Sequence, residues 1–469
     1  MRGQATSTLA LRERLRISAA ASFAAVLLPL ALMLPALWNG FPLLQYDTGG
    51  YIARWYEGYL VPSRSTTFGL YLHLGEDSHF WLNLKLQALA TIWILQAVLR
   101  VYDVARLAQI ITVVVVLALT TALPWLVSLL LTDIFAGLSV LSLFLLVLHG
   151  ERVSRLERGA LFLFTAFAAA SHSATLAVLL GLVGCAVLAR RWLARALPLK
   201  GIVHGGLALL AGAAMLLATN LMMSGRLAWT PGAYGIAFSR ILQDGIVARY
   251  LNDHCAREAL KLCPYRNDLP ATGDMFLWGK SVFNQLGRFE GMNDEMRDIV
   301  LRSLIAYPGQ HLSTAAAAAI KQLTMVATGE GVHSDLMHTH RIIERYLPQQ
   351  ALVMQTSRQH RGDLSFTEIN RIHVPAALAS LLLIAALTAY ALWRRTFDDI
   401  ALLCVTTLLA VLGNAAVCAV LSGPHDRYGS RLAWIATFTA LVAFLRSYQA
   451  RAGALDHALL VRNASTPSL

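Results

Sequence analysis

The chain has 469 residues, 57% of them hydrophobic and only 14% charged, where a soluble domain carries roughly a quarter. Apolar runs long enough to cross a bilayer recur along it, which excludes an ordinary soluble protein and predicts a polytopic helical membrane protein. The net charge of +12 does not point to a nucleic-acid partner, because arginine gathers in the cytoplasmic loops of membrane proteins.

The N-terminal MRGQATSTLALRERLRIS leads into an apolar stretch from Ala19 to Trp38. That stretch is too long for a secretory signal core, and Asn-Gly-Phe-Pro follows it rather than a small-residue cleavage site. It reads as a retained first helix. The apolar runs predict ten spans, at 18–38, 80–99, 108–124, 126–149, 160–171, 174–189, 202–222, 374–393, 399–421 and 432–447. Residues 160–189 are too long for one helix and short for two, so SHSA (171–174) is taken as the turn of a hairpin.

Arginine orients the spans. Arg12, Arg14 and Arg16 precede the first, Arg100 and Arg106 follow the second, and Arg152, Arg155 and Arg158 follow the fourth. Arg190, Arg191, Arg195 and Lys200 precede the seventh, Arg394 and Arg395 separate the eighth from the ninth, and Arg446 and Arg451 follow the last. Every second junction is basic, which is the positive-inside pattern of a multi-pass protein with both termini in the cytoplasm. The expected architecture is an all-α transmembrane bundle of about ten spans. It comprises an N-terminal membrane module (1–222) with a first outer loop (39–79), a mainly helical extracytoplasmic domain (223–372), C-terminal transmembrane helices (373–447) and a cytoplasmic tail (448–469).

Cys185, Cys404 and Cys418 lie in apolar runs, where packing is their expected role. Cys255 and Cys263 share the polar segment NDHCAREALKLCPYRND. If that segment lies outside the inner membrane, an oxidising compartment permits a disulfide across the short loop; a zinc pair is the weaker alternative at this spacing. HSDLMHTH (333–340) offers three histidines and an aspartate, but no second cluster accompanies it.

On this topology the unusual polar residues share one face. Asp47, Arg54, Glu57 and Arg64 lie in the first outer loop, and Lys85 lies near the outer end of the second span. Asp133 is on the fourth, His172 is at the hairpin, and His425, Asp426, Arg427 and Arg431 precede the last. An ionisable group inside a span costs roughly 2.5–3.5 kcal/mol, so such groups face a cavity or a partner. Each has a plainer reading: Asp47-Thr-Gly-Gly as an Asx-type turn, Lys85 snorkelling, and Tyr46, Tyr51, Trp55, Tyr56 and Tyr59 as an interfacial belt.

A first helix followed by an outer loop with Asp47 and Tyr51, then Pro62-Ser63-Arg64 and a second span with Gln87, resembles the opening of membrane glycosyltransferases of the GT-C class. These include the protein mannosyltransferases and the lipid A aminoarabinose transferases. SLLLTD (128–133) and the Arg-Tyr of HDRYGSR (425–431) are similar to positions that recur in them. The resemblance implies sugar transfer on the outer face of a bacterial inner membrane, from a polyprenyl-phosphate donor to a lipid, glycan or protein acceptor. It casts Asp47 as catalytic base, and Arg64, Lys85, Arg427, His425, Tyr51 and Asp133 as substrate- or phosphate-binding residues. It admits a divalent metal, which the sequence itself does not indicate: many such enzymes carry two adjacent acids in this loop, and here Asp47 is followed by Thr48. A transporter or flippase, or an assembly protein for envelope glycans, is the alternative.

Overall fold

The computed structural model describes residues 22–58, 62–230 and 232–464. Arg12, Arg14, Arg16, Tyr59 and the end of the 448–469 tail lie outside them. Helices and their connecting loops make up the described residues, with no strand beyond one isolated parallel bridge between Leu43 and Leu129. The helices of the first half are α1 (Ser22–Leu32), α2 (Leu34–Asn39), α3 (Thr48–Glu57), α4 (Thr66–His73), α5 (Trp81–Val101) and α6 (Leu107–Thr120). They continue with α7 (Leu123–Val127), α8 (Asp133–Leu148), α9 (Arg155–Ser171), α10 (Ser173–Ala189) and α11 (Leu199–Ser224). The loop region then builds α12 (Ala233–Gln243), α13 (Ile246–His254), α14 (Gly273–Leu277), α15 (Val282–Gln285), α16 (Arg288–Ala306) and α17 (Pro308–Thr324). α18 (Met337–Tyr346), α19 (Pro348–Gln355) and α20 (Arg358–Arg361) precede α21 (Thr367–Arg394), α22 (Asp399–Leu421) and α23 (Asp426–Ala464).

Among the described residues five helices are long and apolar enough to cross a membrane: α5, α11, α21, α22 and the Asp426–Ala452 part of α23. α1, α6, α8 and α10 are apolar but shorter. α9 and α10 meet at His172, whose extended backbone breaks the helix.

Three expectations are corrected. The run 126–149 is not one helix, since α8 begins only at Asp133. The preceding backbone lies extended against the first loop: Leu43 N–H donates to Ser128 O (2.9 Å), Leu130 N–H donates to Leu43 O (3.0 Å), and the buried Gln87 amide donates to Val127 O (2.7 Å) and Leu129 O (3.1 Å). Irregular backbone at this depth is tolerated because its polar groups are met inside the protein. The last helix starts at Asp426, where hydropathy placed it at 432, so HDRYGSR is mostly helix rather than turn. It also runs to Ala464, well into the stretch read as a tail.

Residues 223–372 divide between two cores. Phe238, Tyr250, Phe276, Phe283, Met296 and their neighbours make a separate apolar cluster from α12 to α16, joined by the Cys255–Cys263 disulfide at its edge. Val332, Leu336, Ile343, Leu347 and Met354 instead join the main core of the membrane body. The boundary expected at 372 falls inside α21, which is continuous through Pro375.

Candidate functional site

Asp47 is the N-cap residue of α3, yet its side chain caps nothing. Its carboxylate instead pairs through Oδ1 with Arg64 and through Oδ2 with Arg427 (2.8 Å). The Gly-Gly that follows serves packing rather than an Asx turn. A Cβ on Gly49 would stand 2.6 Å from Thr339 Cα, because α18 crosses α3 at this point. A Cβ on Gly50 would come 3.2 Å from Arg64 Cγ, so the arginine lies close across the helix and a side chain there would have to push it aside by a few tenths of an ångström. Thr339 Oγ1 accepts from Gly49 N–H (3.1 Å) and lies 3.0 Å from the carbonyls of Gln45 and Tyr46, which locks the approach.

Arg427 continues the chain of charges. Its Nε donates to Asp133 Oδ2 (2.7 Å), and Arg431 Nη1 stands 3.6 Å from Asp133 Oδ1. Arg431 is held from behind by Asn414 Oδ1 (3.1 Å from Nε) and lies 3.5 Å from His172 Nδ1. The result is an alternating relay, Arg64–Asp47–Arg427–Asp133–Arg431, in which three guanidiniums face two carboxylates and leave one positive charge over. Side-chain exposure falls along it, from 18% and 19% at Arg64 and Asp47, through 11% at Arg427, to 1% at Asp133 and Arg431. The relay therefore opens at its Asp47 end. A water-sized cavity of about 10 Å³ lies at the other end, lined by Asn414, Arg431, Thr175 and apolar neighbours.

Two local features bring these residues together. Because α23 begins at Asp426, Arg427 and Arg431 stand one turn apart on one helix face. One turn after Asp133, Gly137 lies against Trp434, and a Cβ there would be 2.7 Å from the indole. This close contact holds α8 and α23 near enough for direct pairing. Asp133 also sits in the first turn of α8, where the helix dipole favours a carboxylate.

The loop between α17 and α18 clamps the start of α23. Glu330 accepts from His425 Nδ1 (2.8 Å) and from Arg427 N–H (2.7 Å), and Asp426 accepts from Ala327 N–H (2.8 Å). Glu330 was not foreseen, since nothing local marks an acid in TGEGVH as the partner of a helix a hundred residues away. Hydrogen bonding to Glu330 raises His425 above the ordinary histidine range. Burial alone would push the Asp47 carboxyl up, but the Arg64 and Arg427 guanidiniums outweigh it and hold it at about 2.

The structure gathers Asp47, Arg64, Asp133 and Arg427 and sorts the remaining candidates. Tyr51 is buried beneath Arg64, with Cζ 5.8 Å from the ring centroid, and so supports that arginine from within the core. His425 spends its ring on Glu330. Lys85 is separate: it lies exposed on the outward face of α5 with Leu82, Leu86 and Leu89, as a snorkelling lysine does. Arg54 is buried and bonded to Thr66 and Asn220, and Glu57 accepts from Tyr346 (3.1 Å). The aromatic group divides: Tyr51 is buried, Trp55 stacks on His73 (3.8 Å) and Tyr56 on Tyr346 (4.8 Å), while Tyr46 and one face of Trp55 remain exposed. Arg431, placed on the shared face from the sequence but given no role there, is the inner partner of Asp133.

A divalent metal does not fit this donor set. Each carboxylate of the relay lies between two guanidiniums, and the surplus charge is positive, so a cation would have to displace arginines to reach its ligands. Among the described residues no group of three or more His, Cys, Asp or Glu side chains comes together. No family model, curated protein or solved structure matches the chain.

Proposed function

We propose that the protein is an integral membrane glycosyltransferase of the bacterial inner membrane, with about ten spans and both termini in the cytoplasm. It moves a sugar from a polyprenyl-phosphate donor to an envelope lipid, glycan or protein acceptor at the outer face. The observation that carries this reading is the relay: a carboxylate bridging two arginines at the open end of a buried, net-positive ion chain. Phosphoryl oxygens are bound by such guanidinium groups, and Arg64 and Arg427 are the partly exposed cations there.

In the step proposed, Asp47 takes the proton of the acceptor hydroxyl while the acceptor oxygen bonds to the anomeric carbon. The bond from that carbon to the phosphate oxygen breaks, and its electron pair stays on the carrier phosphate. The carrier thereby gains a negative charge, which Arg64 and Arg427 stabilise where it develops. Asp133 and Arg431, too buried to meet substrate, hold Arg427 in place. The prenyl tail remains in lipid, which accounts for a site at the membrane lip.

The test is sugar transfer from a polyprenyl-phosphate donor in isolated membranes, comparing the wild type with Asp47→Asn. A loss of roughly 10²–10⁴-fold is expected for removal of a general base. Undiminished transfer by a normally expressed variant would remove Asp47 from the mechanism.

A further inference from the structure

We infer that the Asp47 carboxylate occupies the seat of an incoming phosphate, and that a prenyl phosphate binds by displacing it from Arg64 and Arg427. The choice of ligand rests on the function proposed above. The displacement itself rests on geometry.

Asp47 uses both oxygens to bridge two guanidiniums, as two oxygens of a phosphate would. Among the described residues no further hydrogen bond or ion pair holds that side chain: although Asp47 stands at the start of α3, it caps no backbone N–H. The arginines are anchored independently. Arg427 keeps its Nε bond to Asp133 (2.7 Å), and its backbone is pinned by Glu330 (2.7 Å). Arg64 keeps a bond from Nη1 to Ser63 O (3.2 Å) and its place over Tyr51. Asp133 is sealed at 1% exposure and cannot leave, whereas Asp47 lies at the open end. When Asp47 swings away, three guanidiniums face the single carboxylate of Asp133, leaving two positive charges for the anion. That balance suits a carrier phosphate whose charge grows from one towards two as the sugar departs. Displacement also removes from Asp47 the cations that keep it a weak base, so the base becomes competent only once the donor is seated. Asp47 is thus a resting counter-ion before it is a catalyst.

The sign of one measurement separates this from a role in which Asp47 helps to bind the donor. Farnesyl phosphate binding is measured by calorimetry on the detergent-solubilised full chain. Removing the competing charge in Asp47→Asn should tighten binding by about tenfold, while Arg64→Gln should weaken it. Equal or weaker binding by an Asp47→Asn protein that unfolds at the wild-type temperature overturns the proposal. If that variant does not fold, carbodiimide labelling of the wild type decides: modification of Asp47 should increase when farnesyl phosphate is added, and unchanged or reduced labelling overturns displacement. Transfer activity is scored separately. Transfer without displacement leaves the enzyme reading standing, and displacement without transfer leaves a phosphate-binding membrane protein.

Discussion

The two ends of the helical bundle carry the same ion-pair chemistry in opposite settings. At one end the Asp47–Arg427–Asp133–Arg431 pairs lie at 19% exposure or less. At the other end of the same helices, Arg152 pairs with Asp399 (3.1 Å) and Arg446 with Asp103 (3.5 Å), with every side chain at 44% exposure or more. Exposed pairs of this kind contribute about 0–1 kcal/mol and are screened by salt. A buried pair is different: its desolvation cost consumes much of the attraction, yet removing one partner strands the other charge. The exposed set fits a solvated charged surface. The buried set stabilises little for what it costs, which is why a functional reading belongs there.

The sharpest way to break this contrast is Asp133→Ala. It leaves Arg427 and Arg431 without their shared carboxylate and should destabilise by about 3–5 kcal/mol, read as a fall in thermal midpoint in detergent. A loss no larger than that of Arg152→Ala would erase the distinction between the two ends. Gly49→Ala comes next. The added methyl meets the Thr339 backbone at 2.6 Å, so α18 must shift from α3, at a cost of about 1–3 kcal/mol. Arg64 lies nearby, so farnesyl phosphate binding should weaken as well.

Arg152→Ala and Arg446→Ala should each change stability by under about 1 kcal/mol, and about 1 M salt should abolish the effect. The same salt should leave the Asp133→Ala penalty largely intact. The smallest expected effect concerns pH. Because His425 is raised by Glu330, its contribution is complete below its unfolded value and fades as pH rises through the folded one. The stability gap between the wild type and His425→Gln should thus be wider near pH 6 than near pH 9. Asp47 has the opposite sign: held at about 2, it loses its contribution only as pH falls towards that value, so Asp47 stays charged throughout that range. A gap that widens towards alkaline pH would contradict the His425–Glu330 pairing.

Hydropathy located the helices well and their ends poorly. Every apolar run expected to be a span is helical over most of its length, because an apolar segment in lipid must satisfy its own backbone. The two starts that matter most were misplaced: α8 begins late at Asp133 and α23 begins early at Asp426. The two errors run in opposite directions: before Asp133 hydropathy counted apolar but non-helical backbone as span, and before residue 432 it counted the polar first turns of α23 as loop. Lys85 shows a different error. It falls near the right end of the right helix but points outward, and no periodicity in that run revealed which face is covered.

The sequence by itself determined a helical chain with apolar runs long enough to cross a membrane, a cysteine pair able to close a loop, and a set of charged residues set among those runs. Those are consequences of composition and of patterns a few residues long. Only the tertiary structure decided which charges meet. Asp47 and Arg427 are 380 positions apart, and their pairing depends on α18 pressing on Gly49, α23 lying against Gly137, and the non-helical stretch before Asp133 being held by Gln87 and Leu43. Hydrophobic patterning acts along the chain, whereas a buried ion pair is stable only where packing has already excluded water from both partners at once.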